Sequence, residues 1–360
     1  MGRVVLVAVL LAGCGVQEGS GAARREAPPE RAPAAAHVLD GARVPTRGLE
    51  PAGAERAYAR AAELPRLRCL LVARHGRILR ERCSRGPGPG APANVKSVSK
   101  SIVSALVGIA VAEGRLRGPE QPIAPFFADE LRGDPRKAGI TVGHLLSMQS
   151  GLERTSGGNY GRWVASRNWV RDALARPLVA EPGGPMLYST GNTHLLSALL
   201  TEATGESTWA YARTRLFAPL EVQLPRWPTD PQGIYFGGNE MRLAPRGMVR
   251  FGELYRNGGR HGDRQVVPEA WVRASLEPRT RSPWSGHDYG YGWFLAEAGG
   301  VPLFYAWGYG GQFIFVLPSL EMTVVTTSDA DAERDRGHLT GIRALLAEEL
   351  VPAARAGGSE

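Results

Sequence analysis

The chain has 360 residues, 43% of them hydrophobic, with 43 Lys and Arg against 35 Asp and Glu and a formal net charge of +8. That apolar fraction sustains a large core and excludes a disordered chain. The basic residues are interspersed with acids and never run to five, so the charge reads as a solvated arginine-rich surface with no nucleic-acid partner; no zinc-type Cys/His spacing, HExxH or Walker glycine loop occurs, and the pattern implies neither metal nor other cofactor.

The chain opens on MGRVVLVAVLLAGCG: one basic residue, Arg3, an apolar stretch from Val4 to Leu11, then Ala12 and Gly13 before Cys14. This is the pattern of a targeting segment, and the apolar run is far shorter than the roughly 20 residues a spanning helix needs. LAGC resembles a bacterial lipobox, which implies a signal peptide over residues 1–13, cleavage before Cys14 and lipidation of that cysteine. The expected destination is the periplasmic side of a membrane, held by the lipid anchor; Gly15 is not a retention aspartate, which favours the outer membrane. Residues 14–50, rich in Ala, Gly, Pro and Glu, read as a flexible tether.

Two cysteines remain, Cys69 and Cys83, on either side of LLVARHGRILRER. The two alternating segments around His75-Gly76 read as a β-hairpin, and counting out from the turn sets the cysteines nearly opposite each other. A disulfide is expected there, in keeping with an exported compartment.

Next comes VKSVSKSIVSALVGIAVAEG, residues 95–114. Val98, Ile102, Leu106, Ile109 and Val111 fall at helical spacing and Gly114 supplies a stop, so a largely buried helix starts near Ser97. Ser97, Lys100 and Ser101 share one face of its first turn. The whole chain has three lysines, Lys96, Lys100 and Lys137, among its 43 Lys and Arg, and two of them lie in this turn. Arginine stays protonated at any working pH, whereas a desolvated lysine can lose its proton and activate a neighbouring hydroxyl. A lysine three residues after a serine, in a chain that otherwise prefers arginine, points to a demand for a deprotonatable amine.

Further on, ITVGHLLSMQSGLE (140–153), EPGGPMLYSTGNTHLLSALL (181–200), YGYGW (289–293) and WGYGGQFIFVLP (307–318) follow in order. Together with SVSK they resemble the SxxK serine hydrolases related to class C β-lactamases, penicillin-binding proteins, carboxylesterases and 6-aminohexanoate-dimer hydrolases. The resemblance runs from about residue 55 to 350. It implies that Ser97 is the acylated nucleophile, Lys100 its proton acceptor and Tyr188 a second acid/base, its phenol held near its ionised form by the adjacent ammonium. Thr190 stands where lactamases usually carry asparagine and is expected at the substrate. Tyr309, Gly310 and Gly311 align with the third motif, which lacks its usual cation, and the oxyanion donors fall to the backbone of Ser97 and Gln312. A missing cation weakens the antibiotic-hydrolysing alternative.

The implied architecture is an α/β (α+β) fold of the β-lactamase/transpeptidase type. Residues 51–115 and 231–355 are expected to form an antiparallel sheet with covering helices, and 116–230 an inserted helical domain. Strands read at 68–74, 77–83, 289–295, 302–307, 312–317 and 321–327, with a last helix near 338–350. Trp163, Trp169, Trp284, Trp307 and Tyr289 read mainly as core, with Tyr309 the favoured pocket residue; His144 and His194 read as structural. The leading expectation is an exported serine hydrolase acting through an acyl-enzyme on a small ester or amide. A β-lactamase or D-alanyl-D-alanine peptidase, and a catalytically silent envelope protein on the same fold, are the alternatives.

Overall fold

The computed structural model describes residues 48–131, 133–331 and 335–357. The leader, Cys14 and the tether up to residue 47 lie outside the described residues.

Eight antiparallel strands form one sheet in the spatial order Arg77–Cys83, Leu67–Arg74, Met322–Ser328, Gln312–Leu317, Val301–Gly308, Phe294–Ala298, Asp288–Tyr289 and Thr280–Arg281. The first hairpin therefore docks against the last strand in sequence, closing the sheet from both ends of the described chain. The expected strand 289–295 is divided: Gly290–Trp293 forms a turn between Asp288–Tyr289 and Phe294–Ala298. Gly290 has the Ser275 carbonyl where a side chain would stand, and Gly292 takes a positive φ of 83° against the backbone of Lys100 and Ser101. The YGYGW motif is thus a close approach between a loop and the helix that follows Ser97, made possible by absent side chains.

Pleating sorts the apolar residues into two layers. Leu71, Ala73, Phe304, Ala306, Ile314, Val316 and Val325 belong to one core with the Ser99–Ala112 and Pro245–Arg256 helices. Leu70, Val72, Phe313, Phe315 and Val324 face the other way, onto Pro51–Glu63 and the C-terminal helical run from Arg336 to Ala356. Between Gly114 and Ala244 the chain is mostly short helices and turns around one longer helix, Thr190–Thr204, which packs on Ser99–Ala112.

Cys69 and Cys83 are paired in register across the first hairpin, with Cα atoms 4.0 Å apart, and are bridged. The turn between them, His75-Gly76, takes positive φ at both positions, as a tight two-residue hairpin requires.

Candidate active site

Ser97 lies in a single 3-10 turn, Lys96–Val98, that leads into the Ser99–Ala112 α-helix. The helix therefore begins two residues later than its apolar spacing implies, and Ser97 caps nothing: no side-chain cap bond is made at this end. Lys96 takes a positive φ of 49°, a strained conformation for a residue with a side chain. Its amide donates to Asn94 Oδ1 at 2.9 Å, and its ammonium is 3.4 Å from Glu240 and 3.8 Å from Asp331. These contacts hold the bend that presents the Ser97 hydroxyl.

Lys100 follows one helical turn later, and its Nζ is 3.0 Å from Ser97 Oγ. Only 2% of the residue is exposed. Among the described residues the ammonium has no carboxylate partner; it donates to the Gly238 carbonyl at 2.7 Å and to Thr190 Oγ1 at 3.3 Å. Burial without a counter-charge disfavours the protonated amine and brings its pKa down to about 7. Gly238 has a φ of +97°, and a Cβ there would press on Thr193 and on the Lys100 side chain itself. Glycine at 238 is what lets a backbone carbonyl reach the amine.

The Tyr188 side chain lies beside that of Ser97, and Lys100 Nζ sits 5.1 Å from the Tyr188 ring centre. Three aromatic rings surround it, Trp284, Tyr289 and Phe294, with centroids 6.4, 6.2 and 6.3 Å away. Burial against this apolar wall pushes the phenol pKa upward, the neighbouring Ser97 opposing the shift only in part. The expectation of a phenolate is therefore corrected: a neutral amine offers too little positive charge to offset desolvation, and Tyr188 keeps its proton.

Two segments distant in sequence thus meet beside one hydroxyl, and a third, through Gly238, reaches the amine next to it. A Beta-lactamase family match spans residues 69–348, more than three-quarters of the chain and all of this machinery. The chain belongs to the beta-lactamase family.

This is a family of hydrolases that includes esterases and amidases. The chain is 26% identical over 228 residues to 6-aminohexanoate-dimer hydrolase of Paenarthrobacter ureafaciens, a match covering 59% of this chain and 57% of that protein's length. Among solved structures, the octameric penicillin-binding protein homologue from Pyrococcus abyssi superposes with a TM-score of 0.65 at 18% identity, covering 85% of this chain and 78% of the other. EstCE1, a hydrolase with promiscuous acyltransferase activity, does so with a TM-score of 0.67 at 18% identity, covering 83% and 99%. At these identities the structural matches establish the fold.

Against the family motifs, three sequence expectations need correction. Gly308, not Gly310 or Gly311, is the glycine that lies against the nucleophile turn: a Cβ on it would stand 2.2 Å from the Val95 carbonyl oxygen and 3.1 Å from Lys96 Cβ. Gly310 and Gly311 face Asp329, Ala330, Ser328 and His338 instead. Gln312 is fully buried, and its amide is tied to the neighbouring strand, donating to the Ser328 carbonyl at 3.1 Å and accepting from Ser328 N at 3.0 Å. The strand end beside Ser97 is therefore Gly308-Tyr309, three residues before the position that the glycine pattern suggested. The register shift moves the third-motif cation position to Ala306, which is buried and carries no charge.

Thr190 is also relocated in role. It is buried, with its hydroxyl engaged by Lys100 and by Ser156 Oγ at 3.0 Å, so it orients the amine and does not line the substrate space. Trp163, Trp169 and Tyr289 are core, whereas Tyr309 and Trp284 are exposed at 40% and 56%. His194 is fully buried, 3.0 Å from Asp230 Oδ2, and accepts from Gly237 N, steadying the loop that supplies the Gly238 carbonyl. Sequence reading missed Gly238, because a backbone acceptor leaves no side-chain signature; the adjacent glycines of FGGN were the only trace.

The Gly308 contact yields a direct expectation. Gly308→Ala forces the strand end and the Lys96–Val98 turn apart, and kcat should fall about a hundredfold, since displacements near 1 Å at a reacting centre cost that much. Steady-state kinetics on an activated ester, with Tm measured alongside, checks it.

Proposed function

We propose that the protein is a serine hydrolase that forms an acyl-enzyme at Ser97 on a small ester or amide. The observation that carries this reading is the 3.0 Å contact between Ser97 Oγ and a buried lysine that has no counter-ion among the described residues, a setting that lowers the amine pKa to about 7. Neutral Lys100 takes the Ser97 proton as Oγ attacks the carbonyl carbon. The oxygen of the tetrahedral adduct is met by backbone N–H groups of Ser97 and of the Gly308-Tyr309 strand end. Tyr188 donates its proton to the departing oxygen or nitrogen and recovers one from the Lys100 ammonium, leaving the acyl group on Ser97. Water then attacks and gives its proton to neutral Lys100; as the second tetrahedral adduct collapses, the Lys100 ammonium returns that proton to Ser97 Oγ and the acid is released.

An ester or amide is favoured over a β-lactam because the third-motif strand offers Ala306 where lactamases carry a cation, and Tyr309 by the register first read from sequence. Export as a lipid-anchored periplasmic protein completes the proposal. It rests on the LAGC segment with Cys14, and it is supported by the Cys69–Cys83 bridge, a bond of oxidising compartments.

The test compares p-nitrophenyl acetate with a chromogenic cephalosporin, using the fragment lacking residues 1–20. Ester turnover with little cephalosporin cleavage, and a covalent mass shift on treatment with a fluorophosphonate, is the expected result. A cephalosporin turned over faster than the ester would make the protein a β-lactamase. Absence of both turnover and labelling would make it a non-catalytic member.

A further inference from the structure

Near Tyr188, across the Trp284 ring, stands a cation that the chemistry above leaves unused. Arg154 precedes Thr155 and Ser156, and these two are fastened to the motif beside Tyr188: Thr155 Oγ1 is 3.1 Å from Ser189 Oγ, and Ser156 Oγ is 3.0 Å from Thr190 Oγ1. That zipper fixes the loop and projects the exposed Arg154 guanidinium over the Trp284 ring, 5.3 Å from its centre. Trp284 in turn meets the edge of the Tyr188 ring. The guanidinium thus stands one aromatic ring beyond the residue that protonates the leaving group.

Other cations near the cleft are committed. Lys96 faces Glu240 and Asp331, and Lys100 is buried against Ser97. Glu153, the acid adjacent in sequence to Arg154, is paired with Arg176 at 3.1 Å. Among the described residues no carboxylate lies within ion-pair distance of Arg154. Stacking on an indole face leaves the N–H edges of a guanidinium open and limits its rotamers, the arrangement suited to bidentate capture of a carboxylate.

We propose that Arg154 determines specificity by binding a carboxylate on the leaving-group side of the scissile bond, so that the substrate is an ester or amide whose alcohol or amine portion is anionic. This rests on the hydrolase reading given above. Trp284 supplies the apolar surface under the carbon skeleton between the reacting bond and the carboxylate.

The test uses two esters that differ only in charge on the leaving group, 4-acetoxybenzoate and 4-acetoxybenzamide, with the wild type, Arg154→Gln and Arg154→Lys. The ratio of kcat/KM for the anion to that for the amide should fall about tenfold or more in Arg154→Gln, mainly through KM, with Arg154→Lys between them. Raising the salt concentration should lower the wild-type ratio in the same direction. A ratio in Arg154→Gln within twofold of wild type overturns the proposal while leaving the hydrolase reading intact. If neither ester is turned over, the hydrolase reading fails and binding decides the matter: calorimetry with 4-hydroxybenzoate should show about tenfold weaker affinity in Arg154→Gln, and equal affinity, or none in either protein, overturns it.

Discussion

Ser97→Ala should reduce ester hydrolysis by about 10⁴-fold or more and abolish fluorophosphonate labelling, because a catalytic group that acts as a unit with its base leaves little when removed. The chain should stay folded. Ser97 is only partly buried and serves as no helix cap, so removing its hydroxyl deletes its bond to Lys100 without opening a core cavity. Matched Tm values and circular dichroism separate loss of chemistry from loss of fold. A variant that retained wild-type turnover would remove Ser97 from the mechanism and would require another nucleophile at the same cleft.

Lys100 governs the second large effect, which is a dependence on pH. The active form is the neutral amine, and burial places its pKa near 7. As pH rises through about 7 the ammonium loses its proton, so kcat/KM on a neutral ester should climb through that value and then level off. Tyr188 acts in its protonated form, and its pKa is shifted upward by the aromatic wall, so no descending limb should come from it below the ordinary phenol range. Lys100→Arg keeps charge and length but cannot deliver an unprotonated nitrogen; kcat should drop about 10³-fold and the ascending limb near 7 should disappear. An unchanged limb in this variant would assign the titration to another group, His144 or His287 being the partly buried imidazoles to examine next.

Both effects depend on a desolvated amine, and desolvation is a collective property. The Ser99–Ala112 helix is apolar almost all round and is covered by the Val301–Gly308 strand, the Thr190–Thr204 helix and the Glu269–Ser275 helix. A helix of that composition has to be buried, and its first turn goes with it. The same packing energy that assembles the domain holds Lys100 away from water. A pair of buried hydrogen-bond acceptors, Thr190 Oγ1 and the Gly238 carbonyl, compensates the amine without fixing a charge on it.

The amino-acid sequence by itself determined the parts that depend on local pattern. Alternation in LRCLLVAR, QFIFVL and MTVVTTS sets strands and assigns each residue to one layer, because side chains on a strand alternate faces. The HG turn brings Cys69 to within one residue of Cys83, and a bulge at Leu79 completes their facing. The spacing of Ser97 and Lys100 places both on one face of a helix, and no tertiary information is needed for that.

What the tertiary structure alone decided are the contacts between segments. The sequence resemblance put the third motif at Tyr309, Gly310 and Gly311; only the approach of the Val95 carbonyl singles out Gly308. Tyr188 could be read as phenolate or phenol until the rings of Trp284, Tyr289 and Phe294 were found around it. Thr190, Gly238 and Arg154 gained their places from loops that no periodicity describes. The physical reason is one of range: backbone propensity and side-chain alternation act over a few residues and are written in order along the chain, whereas desolvation, close backbone approach and the direction of an unpaired charge arise only when residues far apart in sequence occupy the same few ångströms.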